Sequence, residues 1–234
     1  MSSSTERTPG QRLRVAVLLS GRGSNLGALI AARDAGILPI DLVLAASDKP
    51  AAPGLALARL AGVPVYASDP RRFGKRSEFE AELFEQVRAV DAEMVVLAGF
   101  MRILGARTVR AWQGRMISIH PSLLPRHPGL HTHEKVLAAG ETEHGASVHY
   151  VTAELDAGPV IAQVRMPVRK SDTPERLAKR LLPLEHRLLV SVVGLLAASR
   201  VRLDKDRVLI DGDSSAAPLQ IEAMKTARRR PAPR

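Results

Sequence analysis

The sequence has no cysteine among its 234 residues, and this absence excludes several kinds of chemistry. Without a thiol the chain forms no disulfide framework, has no thiolate nucleophile and offers no cysteine ligand to a metal. No apolar run is long enough to cross a bilayer, and the first residues lack the apolar segment of a secretory signal. We therefore expect a cytoplasmic protein that has no membrane partner.

Sequence signatures of several common enzyme classes are also missing. A dinucleotide-binding fingerprint would need a third glycine at position 26, which is Leu26, and no Gly-Lys-Ser/Thr sequence completes a P-loop. The Gly-x-Ser-x-Gly elbow of a serine hydrolase does not occur. Five histidines follow no zinc-ligand spacing, so we expect no metal site; they are His127, His131, His133, His144 and His149.

The formal charge of +10 is concentrated near the two ends of the chain. Residues 1–14 contain three arginines and one glutamate, and residues 222–234 contain one lysine, four arginines and one glutamate. The ends thus hold six of the ten excess charges. This distribution argues against nucleic acid as a partner and suits an anionic small-molecule substrate. A basic tail that binds polyanions weakly, without sequence preference, is the remaining alternative.

Strand-like and helix-like segments alternate over most of the chain, and this alternation predicts the fold class. Near-continuous apolar runs, such as residues 13–20, indicate strands covered on both faces. The pattern predicts an α/β protein with a doubly wound, mostly parallel, Rossmann-like sheet. Beyond Gly129, two alternating strands and a helix over about 174–199 indicate an antiparallel C-terminal extension, followed by a hairpin around 205–206.

The chain divides into three expected segments. Residues 1–12 are predicted to form a disordered leader, residues 13–212 a single domain, and residues 213–234 a disordered basic tail. No internal repeat or linker interrupts the middle segment. The sequence leaves the oligomeric state open between a monomer and a homodimer.

A glycine-rich stretch lies where the first strand turns into the first helix, at Gly21, Gly23, Ser24 and Asn25. Small residues let the backbone approach a ligand, and free amides at a helix N-terminus attract phosphate. A plain tight turn capped by Ser24 or Asn25 is the alternative. These residues alone do not separate the two interpretations.

His120 ends an apolar run and precedes a proline-rich loop, so its imidazole should lie at the carboxyl end of a strand. Ligands bind at this edge of a doubly wound sheet. The best candidate partner is Asp156, in the turn between two later strands. A carboxylate near an imidazole favours the protonated ring and fixes its orientation. Such a pair could deliver a proton to an oxyanion and take one from an attacking amine.

Five stretches carry a family resemblance: LSGRGSNL, VVLAGFMRIL, IHPSLLPRHPGLHTH, HGASVHYVTAELDAGPVIAQ and LEHRLL. In order and spacing they resemble the bacterial phosphoribosylglycinamide formyltransferases. The resemblance covers residues 13–212 and implies a single formyltransferase domain. It implies formyl transfer from 10-formyltetrahydrofolate, a co-substrate, to the amine of phosphoribosylglycinamide in de novo purine biosynthesis. These two small molecules are the expected partners.

The resemblance also implies roles for individual residues. His120 matches the general acid or proton shuttle, Asp156 the group that keeps it protonated, and Ser147 a serine that supports them. The residues matched to the substrate, at its phosphate and from the last long helix, are Gly23, Ser24, Asn25 and Glu185. Those matched to the folate are Arg76, Met101, Arg102, Ile103, Leu104, Thr152, Ala153, Glu154, Leu155 and Asp156.

One position departs from the family pattern, which reads Asn-x-His-Pro-Ser. Here Ser118 stands two residues before His120, so both side chains point the same way from one strand. The family asparagine donates its amide to the formyl oxygen, whereas a serine hydroxyl is shorter. Removing one oxyanion donor costs roughly 10²–10³ in turnover, so we expect Ser118 to be a catalytic residue that gives a reduced rate.

Two other interpretations of the sequence remain open. The first is a catalytically silent, substrate-binding homologue or an engineered variant of the same fold, in which Ser118 prevents turnover. The second is a formyltetrahydrofolate hydrolase. That enzyme carries an extra N-terminal regulatory domain, whereas only about a dozen residues precede the first predicted strand here.

Overall fold

The structure, a computed structural model, describes residues 11–215 and 217–222. The predicted leader up to residue 10 and the predicted tail beyond residue 222 lie outside the described residues. The strands are β1 (Leu13–Leu19), β2 (Ile40–Ser47), β3 (Val65–Ala67), β4 (Met94–Leu97), β5 (Met116–His120), β6 (Glu143–Tyr150), β7 (Val160–Pro167), β8 (Val201–Asp204), β9 (Arg207–Ile210), β10 (Asp213–Ser214) and β11 (Leu219–Gln220). The helices are α1 (Ser24–Asp34), α2 (Pro53–Leu60), α3 (Arg76–Ala89), α4 (Ala106–Ala111), α5 (Thr132–Ala138) and α6 (Pro174–Ala197).

The main sheet has eight strands in the order β11-β7-β6-β5-β4-β1-β2-β3. Strands β1 to β5 pair in parallel, whereas β6 is antiparallel to both β5 and β7. A separate antiparallel sheet contains β8, β9 and β10, and its first hairpin turns at Lys205 and Asp206. The predicted α/β class, a mostly parallel sheet with an antiparallel extension, is confirmed.

Both faces of the main sheet are buried, which is why β1 is apolar along most of its length. Val15 and Val17 pack with α1, α2 and α6, whereas Ala16 and Leu18 pack with α3 and α4. Successive side chains of a strand point to opposite faces, so a strand covered twice needs apolar residues at every position. Burying each large aliphatic side chain contributes roughly 1.5–3 kcal/mol.

The longest helix, α6, begins with a capping threonine followed by a proline. Thr173 Oγ1 accepts a hydrogen bond from the Arg176 amide at 3.3 Å, and Pro174 occupies the first turn, where an amide would have no helical partner. Its buried stripe packs against α1 and the sheet and includes Leu177, Leu181, Leu188 and Val192. Neither α6 nor any other helix of the described residues is both long enough and apolar enough to span a bilayer.

The predicted disordered tail from residue 213 differs from the structure over residues 213–215 and 217–222. Strand β10 extends the small sheet, and β11 adds a parallel strand to the edge of β7. The amide of Ile221 donates to the carbonyl oxygen of Gln163 at 2.9 Å, and Arg165 Nε donates to Gln220 Oε1 at 3.1 Å. An edge strand exposes unpaired backbone groups, and β11 satisfies part of that row on β7.

Gly158 positions the turn that carries Asp156, because the backbone there passes close to β6. A Cβ atom at residue 158 would lie 1.8 Å from the carbonyl oxygen of Tyr150. The amide of Tyr150 donates to the carbonyl oxygen of Pro159 at 3.0 Å, so the close approach is part of the β6–β7 pairing. Only glycine fits this position without moving the two backbones apart.

We expect Gly158→Ala to lower the free energy of unfolding by about 1–3 kcal/mol, because the added methyl group overpacks the β6–β7 pair. Urea denaturation followed by circular dichroism measures the loss. In the matched control Gly74→Ala, the new Cβ would meet Glu78 Oε2 at 3.6 Å, an ordinary contact, so a change within about 0.5 kcal/mol is expected. Equal free energies of unfolding for the two variants would contradict the prediction.

Candidate active site

Four polar side chains share one face of the sheet where β5 pairs with β6. The antiparallel register places Ser118 opposite His149 and His120 opposite Ser147. Directly opposed residues of two paired strands point to the same face. The alternating residue Ile119 lies in the core on the other face. We call these four residues the β5–β6 quartet.

His120 is 8% exposed, and its ring lies between two hydrogen-bond acceptors. Its Nδ1 atom is 3.5 Å from Asp156 Oδ2, and its Nε2 atom is 3.1 Å from the carbonyl oxygen of His127. Only a ring that carries a proton on both nitrogens donates to both acceptors. The structure therefore brings together the histidine and the aspartate that the sequence singled out, in an arrangement that suits an acid.

Asp156 reaches His120 because its backbone adopts the left-handed conformation in the β6–β7 turn. Its φ angle is 52°, in a region that aspartate occupies more often than most residues. Its Oδ2 atom accepts a hydrogen bond from the amide of Gly129 at 2.8 Å. This bond joins the β6–β7 turn to the loop after His120, so the carboxylate is held from two sides.

Ser147 contacts the loop after His120. Its hydroxyl donates to the carbonyl oxygen of Ser122 at 2.7 Å and accepts hydrogen bonds from the amide of Leu124 and from Gln163 Nε2, both at 3.0 Å. These bonds occupy the buried hydroxyl and fix the loop. Within the described residues, Ser147 therefore acts on the loop through its hydrogen bonds, and its role in catalysis stays a prediction.

His149 is the quartet member that sequence reasoning did not assign to the site. It is 2% exposed, and its Nδ1 atom donates to the carbonyl oxygen of Tyr150 at 2.9 Å. A neutral ring protonated at Nδ1 leaves Nε2 as an acceptor. That atom is buried without a hydrogen-bond partner among the described residues, and it faces Asp156 Oδ1 at 3.7 Å. Burial lowers the pKa of His149, which favours the neutral ring.

Ser118 is half-buried, and within residues 11–215 and 217–222 its hydroxyl forms no hydrogen bond. The hydroxyl is therefore available to a ligand.

The sequence did contain a signal for His149, since Ser147 and His149 are separated by one residue just as Ser118 and His120 are. Only the strand register, however, shows that the two pairs face each other.

The glycine turn is held close to the start of α2. Gly23 precedes α1 with a φ angle of 74°, in the left-handed region that glycine adopts readily. A Cβ atom at Gly23 would lie 2.7 Å from Gly54 Cα, and the Gly54 amide donates to the carbonyl oxygen of Gly21 at 3.1 Å. Both glycines thus permit a close backbone approach beside the N-terminus of α1. Ser24, the first residue of that helix, is partly buried.

The predicted substrate residues Asn25 and Glu185 meet where α1 packs against α6. Burial raises the pKa of the Glu185 carboxyl to about 7, and a hydrogen bond from Asn25 opposes part of that rise. The Oδ1 atom of Asn25 is buried without a partner among the described residues. The first turn of α1 and the middle of α6 therefore present polar groups beside the glycine turn.

The first predicted folate loop has both exposed and buried members. Met101 and Ile103 are 60% and 58% exposed, which is unusual for large apolar side chains near a sheet edge. Arg102 lies over the Phe79 ring, 5.5 Å from its centroid. Leu104 is 6% exposed and packs in the core, so its side chain is not available to a ligand.

The second predicted folate loop, Thr152 to Asp156, follows β6. Ala153, Glu154 and Leu155 are exposed, and Leu155 is 53% exposed. Thr152 Oγ1 donates to the carbonyl oxygen of Glu154 at 3.2 Å, which tightens the turn. Since Leu155 directly precedes Asp156, this loop places an exposed apolar side chain beside the histidine–aspartate contact.

Arg76 lies at the start of α3, against the end of the first folate loop. Its Nε atom is 3.3 Å from Oε1 of the buried Glu80, whose oxygens also accept from the Gly105 amide at 2.9 Å and from Thr108 Oγ1 at 2.7 Å. A cavity of about 410 Å³ lies between α3 and α4, and Arg76 lines it. His120 and Asp156 do not line this cavity.

Other histidines pair with each other or with carboxylates. His133 Nδ1 is 2.9 Å from His144 Nε2, and His127 Nε2 is 2.6 Å from Glu141 Oε1. Burial, with a smaller contribution from His133, lowers the pKa of His144 to about 4. Within the part of the chain that the structure describes, no group of three histidine, cysteine, aspartate or glutamate residues could hold a metal ion.

The family profile described as formyl transferase matches residues 13–193. The chain belongs to the formyl transferase family. It is 40% identical to a phosphoribosylglycinamide formyltransferase of Escherichia coli over 86% of this chain and 94% of that protein. It is 44% identical to the trifunctional purine biosynthetic protein adenosine-3 of Drosophila melanogaster over 75% of this chain, but spans only 13% of that protein.

Solved structures of formyl transferases agree with the fold. The phosphoribosylglycinamide formyltransferase of Coxiella burnetii, in complex with CHES, has a TM-score of 0.86 and 44% identity, covering 89% of this chain and 99% of that one. A formyltetrahydrofolate deformylase of Pseudomonas putida has a TM-score of 0.78 and 30% identity, covering 87% of this chain and 72% of that one. This formyl transferase is therefore similar to both a transferase and a deformylase.

We expect Glu185→Gln to flatten the pH dependence of stability. Because the pKa of Glu185 is raised to about 7, the folded state binds more protons than the unfolded state between about pH 5 and 7. Because of this carboxyl, the free energy of unfolding of the wild type falls by on the order of 2 kcal/mol as pH rises from 5 to 8. Glutamine removes that cost.

Urea denaturation of both proteins at several pH values measures this difference. Glu175→Gln, at an exposed carboxyl of the same helix, is the matched control; hydrogen bonds from Thr173 and from the backbone lower the pKa of Glu175, so the control should not flatten the curve. Wild-type and Glu185→Gln curves that run parallel from pH 5 to 8 would show that Glu185 keeps an ordinary pKa.

Proposed function

We propose that this formyl transferase acts in the cytoplasm and transfers the formyl group of 10-formyltetrahydrofolate to the amine of phosphoribosylglycinamide in purine biosynthesis. Similarity to the Escherichia coli phosphoribosylglycinamide formyltransferase over 94% of that protein supports the proposal. The observation that carries it is the contact of His120 Nδ1 with Asp156 Oδ2 at the end of β5. The glycine turn follows the parallel strand β1 and opens on the same sheet edge.

In this proposal the phosphoribosyl group binds at the glycine turn. The backbone amides of Gly23, Ser24 and Asn25 surround the N-terminus of α1, where amides and the helix dipole favour a phosphate. Glu185 contacts the same substrate from α6, beside Asn25. With its pKa raised to about 7, the Glu185 carboxyl is partly protonated near neutral pH and can donate as well as accept a hydrogen bond.

The formyl folate binds between the two exposed loops. Met101, Ile103 and Leu155 offer apolar surface to a flat aromatic ring, which fits a pterin. Arg76 and Arg102 offer positive charge to the glutamate end of the folate. Since Leu104 is buried in the core, we assign it to support of the loop rather than to contact with the folate. The bound folate supplies the formyl carbon and the leaving nitrogen.

The quartet supplies the proton chemistry. Attack of the amine on the formyl carbon creates an oxyanion, and His120, oriented by Asp156, donates to it. The amine proton passes through this pair to the leaving nitrogen, and tetrahydrofolate departs. Ser118 is the second donor on the same face, but its hydroxyl reaches less far than an asparagine amide. The absence of that amide lowers turnover by roughly 10²–10³.

We expect Ser118→Asn to raise kcat for formyl transfer by roughly 10²-fold, because the longer amide reaches the oxyanion. The assay supplies both substrates and follows tetrahydrofolate formation. Ser171→Asn, the same substitution at an exposed position before α6, serves as the control and should not change kcat. An unchanged rate in Ser118→Asn would refute the oxyanion argument, and tight substrate binding without turnover in either protein would favour a silent homologue.

We expect Asp156→Asn to reduce kcat by roughly 10²–10⁴-fold, because a neutral amide replaces the carboxylate that faces Nδ1 of His120 and orients its ring. Steady-state rates of formyl transfer for the two proteins test this, and thermal unfolding checks that the variant is folded. An unchanged kcat would show that Asp156 does not act through His120.

A further inference from the structure

Two acceptor atoms in the site face each other without a shared hydrogen. The Nδ1 proton of His149 is donated to the Tyr150 carbonyl oxygen, so Nε2 of the neutral ring has only a lone pair. Opposite it, at 3.7 Å, lies Oδ1 of the Asp156 carboxylate. The other carboxylate oxygen, Oδ2, already accepts from the Gly129 amide and faces His120. Two buried lone pairs that face each other favour a bound molecule that can donate a hydrogen bond to each of them.

Ser118 adds a third polar side chain that could bind one water molecule. It lies directly opposite His149 on the same face, and its hydroxyl has no hydrogen bond among the described residues. A buried water needs two to four polar partners. This place offers three polar partners. Nε2 of His149 and Oδ1 of Asp156 accept hydrogen bonds, and Oγ of Ser118 can either accept or donate one.

We propose that Ser118, His149 and Asp156 hold a nucleophilic water, and that this chain hydrolyses 10-formyltetrahydrofolate to formate and tetrahydrofolate when no acceptor amine is bound. The inference rests on the proposed function in one respect, the binding of the formyl folate beside the quartet. It does not depend on transfer to phosphoribosylglycinamide. His149 is then a catalytic base in a second reaction of the same site.

The hydrolytic step balances without any further reactant. The water oxygen bonds to the formyl carbon while one of its protons moves to His149 Nε2, and His120 donates to the carbonyl oxygen. The bond from the formyl carbon to the folate nitrogen then breaks, and the electron pair stays on nitrogen. That nitrogen takes the proton that His149 received, and formic acid leaves, ionising in water. No atom is oxidised or reduced.

The residue at position 118 sets the balance between the two reactions. An asparagine side chain is longer than serine, so it would occupy the space between β5 and His149 and place an amide there. The asparagine would thus displace the water, and its amide would also restore the oxyanion donor. Ser118→Asn should therefore move hydrolysis and transfer in opposite directions, which a general loss of folding or of folate binding cannot do.

The test incubates the full chain with 10-formyltetrahydrofolate and no amine, and measures tetrahydrofolate and formate. We expect a rate above the protein-free reaction, and formate that carries one ¹⁸O atom when the solvent is H₂¹⁸O. Ser118→Asn should lower hydrolysis by about tenfold and raise transfer in a parallel assay. His149→Gln should lower hydrolysis by roughly 10²-fold, the usual contribution of a general base.

The matched control is His144→Gln, which replaces another buried histidine of β6 that lies outside the quartet. It should hydrolyse at the wild-type rate, and thermal unfolding checks that each variant is folded. If His149→Gln fails to fold, the opposite changes expected in Ser118→Asn still decide the matter. Transfer without hydrolysis above the protein-free rate overturns this inference and leaves the proposed function standing. Hydrolysis without transfer supports the inference and counts against the proposed function.

Discussion

The antiparallel pairing of β5 with β6 is the constraint on which the rest of the site depends. It is the point where a parallel sheet changes direction, and it sets Ser118 and His120 against His149 and Ser147 on one face. The turn after β6 then returns Asp156 to the same place. A shift of this register by one residue would turn every one of these side chains to the other face of the sheet. The site is therefore a property of the pairing rather than of any one loop.

Asp156 faces two histidines that differ in their hydrogen-bond partners. His120 has an acceptor at each ring nitrogen, whereas His149 donates only from Nδ1. One carboxylate oxygen faces each ring. The acid and the base that we propose thus lie on either side of one carboxylate, an arrangement that suits proton transfer. Both rings are buried, and their different hydrogen-bond partners distinguish the two proposed roles.

The sequence predicted the parts of the structure whose signals are local. The apolar run of β1, the helix after it and the strand ending at His120 follow from period and composition. Asp156 was chosen as the partner of His120 from its place in the turn between two later strands, and the resemblance over residues 13–212 supported that choice. Strand β11 was missed because two residues carry no detectable pattern, and the edge of β7 selects them. His149 was missed because register is a long-range property. The burial of Leu104 depends on packing against α3, which its own loop does not reveal.

Strand β11 connects the far end of the chain to the loop after His120 through one residue. Gln163 binds the amide of Ile221 with its backbone oxygen and the carbonyl oxygen of Leu124 with its side-chain amide, at 2.9 and 2.8 Å. A protease that removed β11 would thus loosen the support of the catalytic loop. It would also uncover the backbone groups of β7 at Ala162 and Gln163, with which β11 pairs. The support of the loop after His120 and the pairing of this sheet edge consequently depend on the same short segment.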